Sequence, residues 1–250
     1  MVKDCFVKVR DVSLGKNSAK ICVSITGEDI ESCVSEARKI REAYADIAEW
    51  RVDCFKDHCN MEAVKEAGEK IRAELGNIPI IFTFRSKNEG GNAILSIKEY
   101  ENLYNYVKMQ EIVDIFDIEM WIAEAPESDL VEKIKEKAPV IISKHDFKKT
   151  PQKSEIVASL EKMQAAGASI AKIALMPNLV EDVEALMEAS REVYGKALTP
   201  IISISMGELG RESRIRCDYT GSCLTFATVG KASAPGQVEI NELRRLTLQQ

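Results

Sequence analysis

The chain has 250 residues, a formal net charge of −6, and 45% hydrophobic against 30% charged residues, so it can bury a large core. That charge, without a basic run interleaved with aromatics, argues against a nucleic-acid-binding protein, and no apolar stretch approaches the length of a membrane span. The N-terminus has no signal-peptide core, seven cysteines include no CxxC pair, and two histidines are too few for a histidine metal cluster, which together suggest a cytoplasmic protein with reduced thiols and no metal.

Residues 6–15 alternate weakly around Arg10-Asp11, with Phe6, Val7, Val9 and Val12 as apolar positions, and predict a short hairpin. A strand–helix pattern then repeats roughly every 25 to 30 residues, the length of a βα unit. Strands are expected over 21–26, 46–53, 79–85, 115–120, 139–145, 170–175, 200–206 and 224–229. Helices are expected over 29–44, 60–75, 96–110, 128–137, 154–166, 178–194 and 239–248, with a short helical piece near 208–214. Asp29, Asn60, Ser96, Ser128, Ser154 and Asn178 stand as helix caps. Eight such units predict a (β/α)8 TIM barrel over residues 1–250 as a single domain, preceded by the hairpin. A doubly wound sheet is the alternative, but its GxGxxG fingerprint after the first strand is missing.

The stretch 170–175 is five parts apolar, with Lys172 in its middle. Burial disfavours an ammonium, so this lysine is either paired with a carboxylate or kept as a free amine for carbonyl chemistry. Active sites of such barrels lie at the C-terminal ends of the strands, and strand side chains alternate. Glu49, Arg51 and Asp53 therefore share a face, as do Thr83 and Arg85, and Asp117 and Glu119; Ser24 and Thr26 end the first strand. The expected mouth holds Glu49, Arg51, Arg85, Glu89, Glu119, His145 and Lys172. Asp53, Asp117 and Glu119 read as a self-satisfying ion network at or below the site, with Arg51 and Arg85 as its partners. His145 ends the strand beside Lys172 and reads as functional, whereas His58 reads as solvent-exposed. The loop 206–214 sets arginines among glycines. The loop 228–237 is small and polar, with Lys231 as its only charge, and is expected to be a lid that ligand orders.

The segments Glu49-Trp50-Arg51, Phe82-Thr83-Phe84-Arg85-Ser86 with Glu89-Gly90-Gly91, Ser143-Lys144-His145-Asp146-Phe147, Ala171-Lys172, 210–214 and 232–237 resemble, in order, type I 3-dehydroquinate dehydratase. The one departure is Ile204, where some members carry a second methionine. The resemblance implies a hydro-lyase that eliminates water from 3-dehydroquinate to give 3-dehydroshikimate in the shikimate pathway. It implies that Lys172 forms the imine, His145 is general base and acid, and Glu89 orients it. Arg214 would hold the substrate carboxylate and Glu49, Arg51 and Arg85 its hydroxyls. Ser24, Ser233 and Gln237 complete the polar contacts, with Met206 and Phe226 as apolar walls. No cofactor or metal is required, the ligand is a small molecule, and a homodimer is the family expectation. Two other readings stay open. A class I aldolase would use the same imine lysine to break a carbon–carbon bond. A non-catalytic barrel would bury Lys172 in a salt bridge to Glu119.

Overall fold

In the computed structural model, which describes residues 5–196, 198–230 and 232–247, the chain opens with an antiparallel hairpin of β1 (Val7–Val9) and β2 (Val12–Leu14). The βα repeat follows: β3 (Lys20–Ile25), α1 (Ile30–Glu42), β4 (Ile47–Arg51), α2 (Met61–Leu75), β5 (Ile80–Thr83) and α3 (Ile97–Gln110). It continues with β6 (Ile115–Glu119), α4 (Met120–Ala123), α5 (Leu130–Lys135), β7 (Val140–Asp146), α6 (Lys153–Ala165), β8 (Ile170–Leu175) and α7 (Val180–Lys196). The last elements are β9 (Ile201–Ser205), α8 (Arg211–Ile215), α9 (Cys217–Thr220), β10 (Leu224–Thr228), β11 (Val238–Glu239) and α10 (Ile240–Thr247). Lys231 and Leu248 lie outside the described residues.

Strands β3 to β10 run parallel in chain order and form the barrel. At the seam, an isolated Ile201–Ser222 bridge joins the β9 and β10 sides, and Cys223 N donates to Ile201 O at 2.8 Å. Higher up, β11 pairs with β10 through Ala227 and Thr228. The fold is thus the expected (β/α)8 barrel with its hairpin.

Local chemistry sets most boundaries. Asp29 and Ser96 close capping boxes, and the Asn60 side chain accepts from Glu62 N and Ala63 N, as expected. Three other caps differ. Asp129, not Ser128, precedes α5; Gln152 with Glu155 makes the box that starts α6 before Ser154. At α7 the direction is reversed, since Asp182 accepts from Asn178 N at 2.7 Å and Leu179 N at 3.1 Å. Short turns unmarked by periodicity complete the chain: 3-10 turns at Val52–Cys54 and Lys87–Glu89, the single turn α4, and α9.

Two apolar cores flank the strands. The outer one lies between sheet and helices around Trp50, Phe82, Tyr104 and Phe116. The inner one stacks Cys22, Ile47, Ile81, Ile115, Ile141, Ile170, Ile202 and Leu224 across the barrel, and Val9 and Leu14 of the hairpin join it from below. Two residues further along six of these strands the inward side chain turns polar, at Ser24, Glu49, Thr83, Asp117, Ser143 and Lys172, while β9 and β10 stay apolar with Ile204 and Phe226. The register sets Ser24 level with Glu49, Thr83 with Asp117, and Ser143 with Lys172. An apolar floor therefore carries a charged layer.

Candidate active site

Lys172 is 3% exposed. Its Nζ lies 2.8 Å from Asp117 Oδ2 and 3.4 Å from Glu49 Oε1, and 4.7 Å from the centre of the Phe226 ring. The lysine is thus paired, but with Asp117 and Glu49 rather than Glu119. Glu119 instead takes Arg85 Nη1 at 2.9 Å, Ser86 N at 2.9 Å and Trp121 Nε1 at 2.6 Å. Arg85 Nη2 reaches Asp117 Oδ1 at 2.7 Å, and Ser143 Oγ donates to the same oxygen at 2.5 Å. Burial works against the Asp117 charge, yet Arg85 and Lys172 outweigh it and hold this carboxyl well below the ordinary range. Glu49 accepts from Ser24 Oγ at 2.7 Å and Thr83 Oγ1 at 3.1 Å. Arg51 forms a two-bond fork with Asp53, both contacts 2.8 Å. Burial opposes the Arg51 charge, but Asp53 overcomes it and raises its pKa.

His145 stands at the end of β7 with its ring Nδ1 2.9 Å from Glu89 Oε2; its backbone N donates to the same oxygen at 3.0 Å. Burial, then Arg85 and Lys172, push the imidazole well below its ordinary value, so the ring is held neutral. Burial likewise pushes Glu89 up, to about 8, with Glu119 and Asp117 adding to it and Arg85 opposing. With Glu89 ionised, Nδ1–H donates to it and Nε2 is left with a lone pair. Gly90 sits under the Phe147 ring, and a Cβ there would come within 2.3 Å of it, so glycine is required for this packing.

Arg214, 2% exposed, enters from α8. Its Nη2 donates to Pro235 O at 2.9 Å, its Nε has no hydrogen-bond partner, and no acid pairs with it among the described residues. Burial lowers its pKa to about 10. Pro235 O also accepts from Gly207 N at 3.2 Å. Gly236, at φ 74°, brings the two loops so close that a Cβ would meet Gly207 O at 2.2 Å. Ser233 Oγ donates to Ser24 Oγ at 3.0 Å, and Gln237 Nε2 donates to Ser233 Oγ at 2.9 Å. Ser233 and Pro235 of this loop are thus hydrogen-bonded to Ser24, Gly207 and Arg214 of the barrel mouth.

These groups line a cavity of about 240 Å³ at the C-terminal end of the strands. Lys172, His145, Glu89, Glu49, Arg51, Arg85, Met206, Arg214, Phe226, Ser233 and Gln237 all face it. Ser24 is not among the lining residues and stands behind Glu49 and Ser233. Gly90, Phe147, Ala174, Ile204, Ala234 and Pro235 also line it. His58 is half-buried rather than solvent-exposed: its Nδ1 lies 2.8 Å from Phe55 O and its ring packs on Phe84. The arrangement offers a nucleophilic nitrogen, a neutral imidazole oriented by a carboxylate, and a guanidinium free to take an anion.

The model of the type I 3-dehydroquinase family matches residues 21–249. A 3-dehydroquinate dehydratase of Lactiplantibacillus plantarum is 42% identical over 239 residues, 95% of each chain. One from Listeria innocua is 41% identical over 241 residues, 96% of each. Among solved structures, the 3-dehydroquinate dehydratase of Geobacillus kaustophilus superposes with a TM-score of 0.93 at 33% identity, covering 98% of this chain and 95% of its own. The type I 3-dehydroquinate dehydratase of Clostridium difficile, solved with covalent modified comenic acid, gives 0.91 at 38% identity, covering 98% and 96%.

Proposed function

The chain belongs to the type I 3-dehydroquinase family, and we propose that it dehydrates 3-dehydroquinate through an imine on Lys172, with His145 moving the protons. The Lys172 nitrogen attacks the substrate ketone, and the resulting imine is an electron sink that acidifies the neighbouring carbon. His145 Nε2 takes the proton from that carbon and returns it to the departing hydroxyl, which leaves as water on the same face of the ring. In its ionised form, favoured as pH rises through about 8, Glu89 accepts from Nδ1–H and keeps the imidazole in the tautomer that leaves Nε2 unprotonated. Arg214 grips the substrate carboxylate through its planar fork, and Glu49, Arg51 and Arg85 bind ring hydroxyls. Ser233 and Gln237 close over the ligand between the walls of Met206 and Phe226. The chemistry calls for no metal or organic cofactor.

The observation that carries this reading is Arg214, a buried guanidinium without an acid partner among the described residues, in the same cavity as Lys172. A buried charge lacking a counterion is costly, so the pocket is built for an anionic ligand. A phosphorylated sugar for aldol cleavage is also anionic, but only dehydration yields a conjugated enone carboxylate, whose absorbance separates the two reactions. Borohydride with product should add one ligand mass to Lys172, and His145→Ala should keep that adduct while losing about 10²- to 10⁴-fold in turnover. Modification at Lys144, or none, would sink the assignment. A homodimer in the cytoplasm is the matching expectation for assembly and location, and a scattering mass of one chain would remove the dimer.

A further inference from the structure

We propose that Asp117 is a further catalytic residue, the counterion that keeps the Lys172 nitrogen positively charged before and after the imine forms. This rests on the imine reading above and extends it to a carboxylate that sequence patterning assigned to a bystander ion network. Asp117 is fully buried, and its Oδ2 is the nearest acidic atom to Lys172, at 2.8 Å. Glu49 stands further off at 3.4 Å and divides its oxygens between Ser24 and Thr83.

Arg85 does not require Asp117 for charge balance, since its Nη1 reaches Glu119 at 2.9 Å and Glu89 at 3.6 Å. The carboxylate is also locked in place: Oδ1 is held by Arg85 and Ser143, and its backbone O accepts from Tyr104 Oη at 2.6 Å. Only Oδ2 is left for the lysine. Held low by Arg85 and Lys172 against its burial, Asp117 is a poor proton acceptor and keeps its charge.

The protons balance around this fixed charge. The ammonium gives up one proton, relayed by His145, and its lone pair forms the N–C bond while the ketone π pair moves to oxygen. That oxygen takes the relayed proton. The carbinolamine nitrogen then passes a second proton to it, and water departs as the nitrogen pair forms C=N. Two of the three ammonium protons leave with the oxygen, and the nitrogen keeps one proton and its positive charge. Ammonium and iminium thus occupy the same place beside Oδ2, and the cationic iminium is the stronger electron sink. A preorganised charge of this kind is worth about 10² to 10³ in rate.

The test uses two reductants of different reach. Borohydride reduces neutral imines and iminium ions, whereas cyanoborohydride reduces only the iminium. In the wild-type protein with product, both should trap Lys172; failure of both would refute the imine reading itself and leave Asp117 without a role. Asp117→Asn keeps Oδ1 for Arg85 and Ser143 but turns an amide donor toward Nζ. Turnover should fall about 10²-fold, product affinity should stay within about threefold, and borohydride trapping should persist while cyanoborohydride trapping is largely lost. Trapping by both reductants as in wild type, or loss of affinity together with turnover, would overturn the proposal. If Asp117→Asn does not fold, infrared difference spectra of wild-type protein with ¹³C-labelled aspartate decide it. The proposal requires an ionised Asp117 in the product imine, and a protonated carboxyl band appearing there would refute it.

Discussion

Arg214 shows at the scale of one residue how binding and stability pull apart. Its guanidinium is buried, has one carbonyl partner and no acid among the described residues, and burial lowers its pKa to about 10. Keeping it charged at neutral pH costs the fold about 3 kcal/mol at 1.36 kcal/mol per pH unit. Arg214→Met should therefore raise the melting temperature, while the KM for 3-dehydroquinate rises by about 10² or more as the carboxylate loses its fork. A lower melting temperature with unchanged KM would place the anion elsewhere. The Glu89–His145 pair makes the corresponding case for pH. Because burial raises Glu89 from 4.5 to about 8, the folded state keeps a proton there that the unfolded chain has released. Stability therefore falls as pH rises through that window and is fully reduced above it. His145, held below its ordinary 6.5, acts in the opposite sense only at lower pH, where the unfolded imidazole takes up a proton and the folded one does not. Between pH 6.5 and 8 the slope belongs to Glu89, so Glu89→Gln should flatten the fall of melting temperature across that interval.

Among the elements, the junction of β5 and β6 is the least ordinary. Their ladder ends at Thr83 and Asp117, and beyond it Tyr104 Oη stands between the strands, accepting from Phe84 N at 3.0 Å and meeting Asp117 O at 2.6 Å. A side-chain hydroxyl thus replaces a ladder bond and lets the strands part where Arg85, Asp117 and Glu119 need room. Tyr104→Phe leaves Phe84 N–H without a partner, because Tyr100 Oη is engaged by Asp117 O and Glu119 N, and should cost about 1–3 kcal/mol in denaturant unfolding. An unchanged midpoint would show that the strands close up and restore the ladder bond. Such a wedge leaves no trace in periodicity: Tyr100 and Tyr104 read as two more apolar positions on α3. The caps divide in the same way. Asp29, Asn60 and Ser96 were legible because a short polar side chain directly precedes each helix. The start of α6 was not, because the long side chain of Gln152 caps it, and α7 starts with its first-turn Asp182 reaching back. The turn α4 and the strand β11 are too short to carry a period of their own.

For the molecule as a whole, the eight-fold repeat was legible because every strand buries both faces against something. Alternation also placed most of the polar mouth, since Glu49 with Arg51 and Ser143 with His145 are two residues apart on single strands. What it could not rank was depth. Asp117 and Glu119 look alike in sequence, yet the level of β6 in the barrel sets the first against Lys172 and the second against Arg85 and Trp121. Nor could it show that the loop 228–237 hands Pro235 O to Arg214, because that bond joins residues 21 apart through two backbone turns. The hairpin below has a consequence for traffic. Val9 and Leu14 finish the apolar floor beneath the charged layer, so among the described residues the chamber is closed at that end and opens at the C-terminal end of the strands, beside Ser233 and Gln237. Whatever enters must back out through the same doorway, and the next arrival waits until it has gone.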